Sequence, residues 1–423
     1  GSEMCIRDSK GKNNYWENNI RPANTNNRTG GMEPSAMIVD MFPMADGKLP
    51  SSASTYNKLE KSSFEYDRNY PFMNRDPRFY RTFAFPGVRW AYNGDASQGG
   101  VNNNPQDGAN YALWNYVWYT NQDDAGNVES GEAYGADNLL KNKKGLYVRK
   151  RTSDYDLGSS LYVYNSGYSR GAFARSASPF IEIRYAEVLL NYAEAACGAG
   201  HMDVAVEQLQ KIRSRVGYTA ENNYGLPANL ASDQATCMSA VLLERQIELA
   251  YEGKRFDDMR RWMLYDGGAT KVAGAPDTWT LTGWGGNTCQ WLGFTPLNGQ
   301  RRERMEFRVA DKYGVGGTTY ESDPLIKAGV SRCQPIDLRQ PLATQQEQLK
   351  TWYQENLVRK DNKGDGRDSY HQDLTISYRA KYYFLGFSLG AMNRNDARLK
   401  QTIGWSDNRG GTGTFDPLAE TSK

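Results

Sequence analysis

Residues 178–262 carry the longest run of helical periodicity in this chain, and this run restricts the possible folds more than any other feature. The first predicted helix has its apolar stripe at Tyr185, Val188, Leu189, Tyr192, Ala193 and Ala196. Gly198 and Gly200 are expected to end that helix. The second predicted helix, which ends before Gly217, has its apolar face at Met202, Ala205, Leu209, Ile212 and Val216.

These two helices are predicted to form a hairpin. Ala193 and Ala205 put small residues where the helices approach most closely, and residues 186–219 match the length of a tetratricopeptide repeat, about 34 residues. A third helix is expected to start near Ser232 and Asp233. A stack of such repeats needs about three units to bury its faces, so other parts of the chain, or further helices, must cover this hairpin.

Composition separates the rest of the chain from this helical segment. Net charge is only +2, from 51 basic and 49 acidic side chains, which argues against a nucleic-acid or anionic-membrane surface. Tyrosine (28) and tryptophan (10) together outnumber phenylalanine (14). Because Tyr and Trp suit surfaces where one side of the ring stays wet, a carbohydrate ligand is the expected partner.

Cofactor and metal sites are not expected. The two histidines lie far apart in sequence, and the five cysteines are widely spaced without a CxxC pair. This pattern predicts no zinc site, no disulfide framework and no Ser-His-Asp triad. No apolar run is long enough to cross a bilayer.

The loop-rich segment at residues 86–175 contains the candidate binding residues. As a strand, residues 111–119 would put Trp114, Tyr116 and Trp118 on one face. Two interpretations are open: aromatic packing between strands, or a stacking platform for sugar rings. The predicted stacking residues are Trp90, Tyr92, Trp114, Tyr116 and Trp118, and the predicted polar ligand contacts are Asn115 and Arg149.

Carboxylates are dense on the third helix, where Glu244, Glu248 and Glu252 share one face. A glycoside hydrolase needs two carboxylates across a bond, one of them with a raised pKa. Arginines nearby favour the ionised form instead, so we predict a structural network of ion pairs.

Shorter elements are predicted elsewhere. Asp76 and Pro77, flanked by Arg75 and Arg78, indicate a capped helical turn with local salt bridges rather than an arginine pair for a carboxylate ligand. The other predicted elements are a helix at residues 34–42, a strand at 146–150, a helix at 345–356 and a strand at 381–387. Residues 267–291 form a loop rich in glycine, threonine and tryptophan.

Several motifs together resemble the SusD/RagB family of outer-membrane nutrient-binding lipoproteins. They are IRYAEVLLNYAEA (183–195), ERQIELAYEGKRFDDMRRW (244–262), IVDMFPMADG (38–47), NRDPRF (74–79) and the closing segment at 381–405. The resemblance covers roughly residues 30–405. It implies a mostly α fold in which tetratricopeptide-type hairpins pack against an irregular, loop-rich region with a few short strands.

The resemblance also implies a function. Members are non-enzymatic binders of glycans at the cell surface and pair with a SusC-like TonB-dependent transporter. Their aromatic ligand platforms come from variable loops, so the resemblance indicates the region and not individual residues. A peptide or other nutrient binder on the same fold is the alternative, followed by a glycoside hydrolase.

Domain organisation is predicted accordingly. Residues 1–12 are expected to be a non-native or disordered leader, and 13–423 a single SusD-like domain. Its parts are a loop-rich ligand-binding region (13–177), a helical repeat region (178–265) and a loop-rich C-terminal region (266–423). Family members begin with a lipidated cysteine and several helices before the segment matched at Ile38. We therefore expect that N-terminal part, with its lipid anchor, to be missing from this sequence.

Overall fold

The structure is a computed structural model. It describes Trp16, Ile20 and residues 31–90, 111–116, 118, 121–122, 128–129, 145–152, 181–276, 279, 284–314, 323–338, 340–362, 375–395 and 398–419. Within these residues no helix has both the length and the apolar character needed to span a membrane.

Helices dominate the regular structure, as predicted. They are α1 (Ala36–Met41), α2 (Pro77–Thr82), α3 (Tyr185–Gly198), α4 (Met202–Val216), α5 (Gln234–Glu248), α6 (Arg255–Arg261), α7 (Thr288–Leu292), α8 (Pro324–Lys327), α9 (Leu342–Asn356) and α10 (Leu389–Arg394). The predicted helices at residues 34–42 and 345–356 correspond to α1 and α9.

The described strands pair as short antiparallel ladders. They are β1 (Phe83–Ala84), β2 (Val88–Trp90), β3 (Tyr111–Leu113), β4 (Asn121–Gln122), β5 (Val128–Glu129), β6 (Tyr147–Val148), β7 (Arg304–Val309) and β8 (Leu357–Asn362). The pairs are β1 with β6, β2 with β3, β4 with β5, and β7 with β8.

The strand predicted at 381–387 is wrong. The chain there forms a 3-10 helix at Ala380–Tyr383. The indole Nε1 of Trp405 donates to the carbonyl oxygens of Lys381 (3.1 Å) and Phe384 (2.8 Å). These carbonyls therefore bond to a side chain rather than to a neighbouring strand.

The predicted helical hairpin is present as α3 and α4, with α5 packed against both. Ala193 and Ala205 have no solvent-exposed surface, as expected for small residues at a close helix contact. Gly217 ends α4 in the left-handed region, at φ 108°, where glycine avoids the strain that a Cβ would cause. Every residue of α5 from 237 to 248 is buried, so this helix lies at the centre of the packing.

The predicted inner face of α3 is partly wrong. Tyr185, Val188 and Tyr192 are 62 %, 50 % and 54 % exposed. Ala193 and Ala196 of the predicted stripe are buried, and Leu190 and Cys197 complete the buried face in place of the tyrosines. Smaller side chains on that face let α4 and α5 approach closely, which the bulky tyrosines would prevent.

Helix α2 forms as predicted. Pro77 occupies its first turn, and the carboxylate of Asp76 accepts a hydrogen bond from the backbone N–H of Arg78. Arg78 also pairs with Asp76 at 2.8 Å. The apolar core that packs around α2 and α5 is one continuous cluster, with members from Ala36 to Ile403.

Candidate functional site

Two of the predicted stacking residues fall where the structure describes no side chain. Trp90 is the last residue of β2, and only its backbone is described. Tyr92 lies outside the described residues. Both remain predictions.

The other three predicted stacking residues are in the core. Trp114, Tyr116 and Trp118 are 2 %, 0 % and 4 % exposed, so their rings present no face to a ligand in this structure. The expectation of an exposed platform at these positions is therefore wrong. β3 ends at Leu113, and the following residues leave the strand.

Helix α9 is the physical reason for this burial. The ring of Trp352 lies 5.1 Å from that of Trp114 and 6.0 Å from that of Tyr116. The hydroxyl of Tyr116 donates to Asp323, the residue that caps α8. Packing of aromatic rings is the interpretation that the structure supports, but the partner is a helix and not a neighbouring strand.

The predicted polar contacts are also buried. Asn115 is 1 % exposed, and its amide Nδ2 donates to the carbonyl of Gly145 at 2.7 Å. Arg149 is 2 % exposed, and its Nη2 donates to the carbonyl of Arg89 at 2.9 Å. Both side chains hold neighbouring loops together, so neither is placed to contact a ligand.

The predicted ion-pair network is confirmed, but Glu252 lies beyond the end of α5 at Glu248 and not on the helix. Glu248 pairs with Arg78 (2.9 Å), with Arg184 (2.7 Å) and with Arg215. Burial alone would raise the pKa of Glu248, but these guanidiniums outweigh burial and lower the pKa to about 2. A carboxyl group held ionised in this way cannot act as a general acid.

The neighbouring carboxylates are held in the same way. Glu244 pairs with Arg78 (2.5 Å) and Arg213 (2.9 Å), and Glu252 pairs with Lys150 (2.7 Å). Most of these partners come from outside α5 and its flanking residues, so the network ties distant segments of the chain to the central helix. It is a structural device, as predicted.

Arg75 does not form a ligand site with Arg78. It is 2 % exposed, and its guanidinium donates to the carbonyl oxygens of Pro71 (2.8 Å), Val39 (2.5 Å) and Phe42 (2.7 Å). The alternative of an arginine pair for a carboxylate ligand is therefore not supported.

An open pocket lies on the helical side of the molecule, bordered by α3, α5, α6 and the start of α7. Its volume is about 710 Å³. That value lies within the range of about 300–1,000 Å³ that is usual for small-molecule sites. The residues that line it are Glu187, Asn191, Glu194, Ala195, Gly198, Met238, Arg245, Lys254, Asp257, Asp258, Arg261, Trp262, Trp284 and Thr288.

Charges around this pocket are paired. Arg261 forms a two-point ion pair with Glu194, at 2.6 Å and 3.0 Å, and reaches Asp258 at 2.7 Å. Arg245 pairs with Asp258 at 2.9 Å. The hydrogen bond and ion pair with Glu194 raise the pKa of Arg261 despite partial burial. The pocket therefore offers a ligand both hydrogen-bond donors, from arginine, and acceptors, from carboxylates.

Two indoles, those of Trp262 and Trp284, form the aromatic part of the pocket wall. Trp284 is 42 % exposed and makes edge-to-face contacts with Trp262 (5.9 Å) and Trp291 (5.4 Å). The Nε1 of Trp262 donates to Glu194 at 2.9 Å, which fixes that ring. A Cβ added to Gly198 would lie 3.0 Å from the indole of Trp284, so glycine allows this close approach.

No sequence pattern predicts a binding function for these pocket residues. The tryptophan-rich composition of residues 267–291 was the available signal. It could not show that Trp284 meets Trp262 across the fold.

Comparison with known proteins identifies the family. A sequence model of the SusD family matches residues 3–405. The chain belongs to the SusD family. Members of this family are non-catalytic binding proteins, which agrees with the arginine-bound carboxylates of α5.

Solved structures show similarity to other SusD-like proteins. One is a SusD-like protein of Bacteroides fragilis NCTC 9343, 26 % identical over 56 % of this chain and 36 % of that protein, with a TM-score of 0.37. Another is described as a SusD-like carbohydrate-binding protein of the same organism, 19 % identical over 60 % of this chain and 43 % of that protein, with a TM-score of 0.33. The aligned part spans less than half of either relative. No match to this chain was found among curated proteins.

Proposed function

We propose that this SusD-family protein captures oligosaccharides or polysaccharides at the surface of the outer membrane and delivers them to a TonB-dependent transporter. Binding occurs without bond cleavage, and a lipid anchor holds the protein at the membrane. The family match over residues 3–405 is the observation that carries this proposal.

The described geometry supports binding rather than hydrolysis. Glu244 and Glu248 of α5 and Glu252 just beyond it are each paired with a basic side chain. Hydrolysis of a glycoside requires a proton donor near neutral pH, and the pKa of Glu248 is about 2. We also propose that Trp90 and Tyr92, in the loop-rich part, contribute stacking surfaces.

A glycan array probed with the purified protein tests the proposal. We expect binding to a restricted set of neutral or acidic glycans, and no release of shorter products on long incubation. The best glycan is then titrated calorimetrically against Trp90→Ala and Tyr92→Ala, with Tyr185→Ala as a control on the exposed face of α3. A stacking residue at a binding hot spot is expected to lower affinity by at least about tenfold.

Three results would contradict parts of this proposal. Absence of binding to any glycan, with binding to peptides, would indicate another nutrient. Product release would indicate an enzyme. Unchanged affinity in both variants would show that Trp90 and Tyr92 do not form the stacking surface. For delivery, we expect co-purification with an outer-membrane transporter, and loss of glycan uptake when the gene is deleted.

A further inference from the structure

The pocket bordered by α3, α5, α6 and α7 differs from the predicted loop site in position and in construction. It is built from the helical segment and from the loop that carries Trp284. The aromatic run predicted for binding lies at residues 111–119 instead, and its described aromatic side chains are buried. The pocket therefore needs its own explanation.

Trp284 provides a preorganised stacking surface. Its ring is held by edge-to-face contacts with Trp262 and Trp291 at 74° to each, while 42 % of its surface stays exposed. A ring fixed by two others loses little conformational freedom when a ligand stacks on it. An exposed, immobilised indole suits a ligand with an apolar C–H face.

Thr288 indicates that the ligand also carries hydrogen-bonding groups. It lines the pocket and is 1 % exposed. Its Oγ1 has no hydrogen-bond partner in the described part of the chain. Leaving a buried hydroxyl without a partner is unfavourable, so a ligand that supplies one gains binding energy.

The charges favour a neutral ligand over a charged one. Arg261 bonds to both oxygens of Glu194 and also to Asp258, and Lys254 lies 3.2 Å from Glu187. A charged ligand would have to compete with these existing pairs. A hydroxyl can instead share them, because Oε2 of Glu194 accepts one hydrogen bond, from Arg261, and keeps a lone pair for another.

We propose that this pocket is a second glycan-binding site, which takes a neutral sugar unit of an oligosaccharide. The sugar stacks its C–H face on Trp284 and hydrogen-bonds through its hydroxyls to Thr288 and to the Glu194–Arg261 pair. This inference rests on the proposed function, since it assumes that the protein meets glycans, but it assigns a site that is independent of Trp90 and Tyr92.

Two variants test the two kinds of contact proposed for this site, stacking and hydrogen bonding. Trp284→Ala removes the stacking surface, and Thr288→Val removes only a hydroxyl at nearly constant shape. Malto-, cello-, xylo- and manno-oligosaccharides, with oligogalacturonates and a peptide mixture for comparison, are titrated calorimetrically against the full chain and each variant. Phe64→Ala is the matched control, because Phe64 is 38 % exposed and does not line the pocket.

We expect a neutral oligosaccharide to bind the unmodified chain. Trp284→Ala should weaken that binding by at least about tenfold, and Thr288→Val by about threefold to tenfold. Thr288→Val should leave the denaturation midpoint unchanged or slightly higher, because its hydroxyl has no hydrogen-bond partner among the described residues. A residue with only a structural role would not lower affinity while preserving stability.

The outcomes distinguish this inference from the proposed function. If a neutral oligosaccharide binds and both variants bind it like the unmodified chain, the second site is overturned while the proposed function stands. If no glycan binds at all, both are overturned. If only acidic glycans or peptides lose affinity in Trp284→Ala, the pocket is a binding site but the neutral-sugar assignment is wrong.

Discussion

The aromatic cluster around Trp114 and the one around Trp284 are built from similar side chains but end in opposite environments. Trp114 is 2 % exposed and lies against Trp352 of α9, while Trp284 is 42 % exposed and lines a pocket. The difference is what covers the outer face of each ring. A helix covers the first cluster, and among the described residues two edge-on indoles support the second without enclosing it.

Charged residues show the same contrast. Glu248 is surrounded by three arginines and holds the fold together. Glu194 is also paired, with Arg261 and Trp262, but it lies at the edge of an open pocket. Residue type and density are thus alike in the core and at the candidate site, and solvent access separates them.

Trp114→Ala should produce the largest effect, a loss of about 3–5 kcal/mol in the free energy of unfolding, because it leaves a cavity beside α9. Trp284→Ala should lose only about 1 kcal/mol, since its ring is partly exposed. Urea denaturation of both variants measures the difference. Equal losses in the free energy of unfolding would show that the two clusters contribute equally to stability, which would contradict the contrast between them.

Lowering the pH should have the second-largest effect, because it weakens the ion pairs of Glu248. The pKa of Glu248 is lowered from 4.5 to about 2 in the folded protein. The folded state therefore binds fewer protons than the unfolded state between these values. The resulting stability is present above about pH 4.5 and is lost as pH falls toward 2, by about 3 kcal/mol.

Denaturation midpoints measured across this pH range test the acid effect. Glu248→Gln should lower stability at neutral pH and flatten the profile, because the glutamine does not titrate. A profile as steep as that of the unmodified chain would show that Glu248 is not the group responsible.

A matched pair of glycine substitutions should give the smallest effect. In Gly87→Ala the new Cβ would lie 2.8 Å from Leu349 and 3.3 Å from Trp114, at a φ of +95°. We expect a loss of about 2 kcal/mol, because the buried cluster cannot move and the backbone is strained. In Gly198→Ala the Cβ meets only Trp284, at 3.0 Å.

Because Trp284 is partly exposed and alanine favours a helix, Gly198→Ala should change stability by less than about 1 kcal/mol. It should still alter the tryptophan fluorescence, since the indole must shift. Thermal denaturation and emission spectra compare the two variants. A larger loss of stability in Gly198→Ala than in Gly87→Ala would contradict the view that the cluster around Trp114 is rigid and the one around Trp284 can move.

Local signals in the sequence predicted local structure well. Asp76 and Pro77 predicted the start of α2, and Gly217 predicted the end of α4, because caps and glycine stops act through neighbouring backbone groups. Arginine density around Glu248 predicted a structural network. Several of its partners, Arg78 and Arg184 among them, could not be identified because they approach from distant segments.

The candidate site was predicted less well for the same reason. Alternation in residues 111–119 placed Trp114 and Tyr116 on one face, but it could not show that α9 covers them. Trp262 and Trp284 carry no shared sequence pattern. Their contact exists only because the loop before α7 returns to the helices.

The sequence by itself determined the family, the helical segment and its ends. These depend on spacing, caps and motifs that the chain carries locally. Only the tertiary structure decided which face of α3 is buried, with Leu190 inward and Tyr192 54 % exposed, and which tryptophans face solvent. Periodicity fixes the distance between apolar residues but not the surface that covers them, and that surface comes from segments far away in the chain.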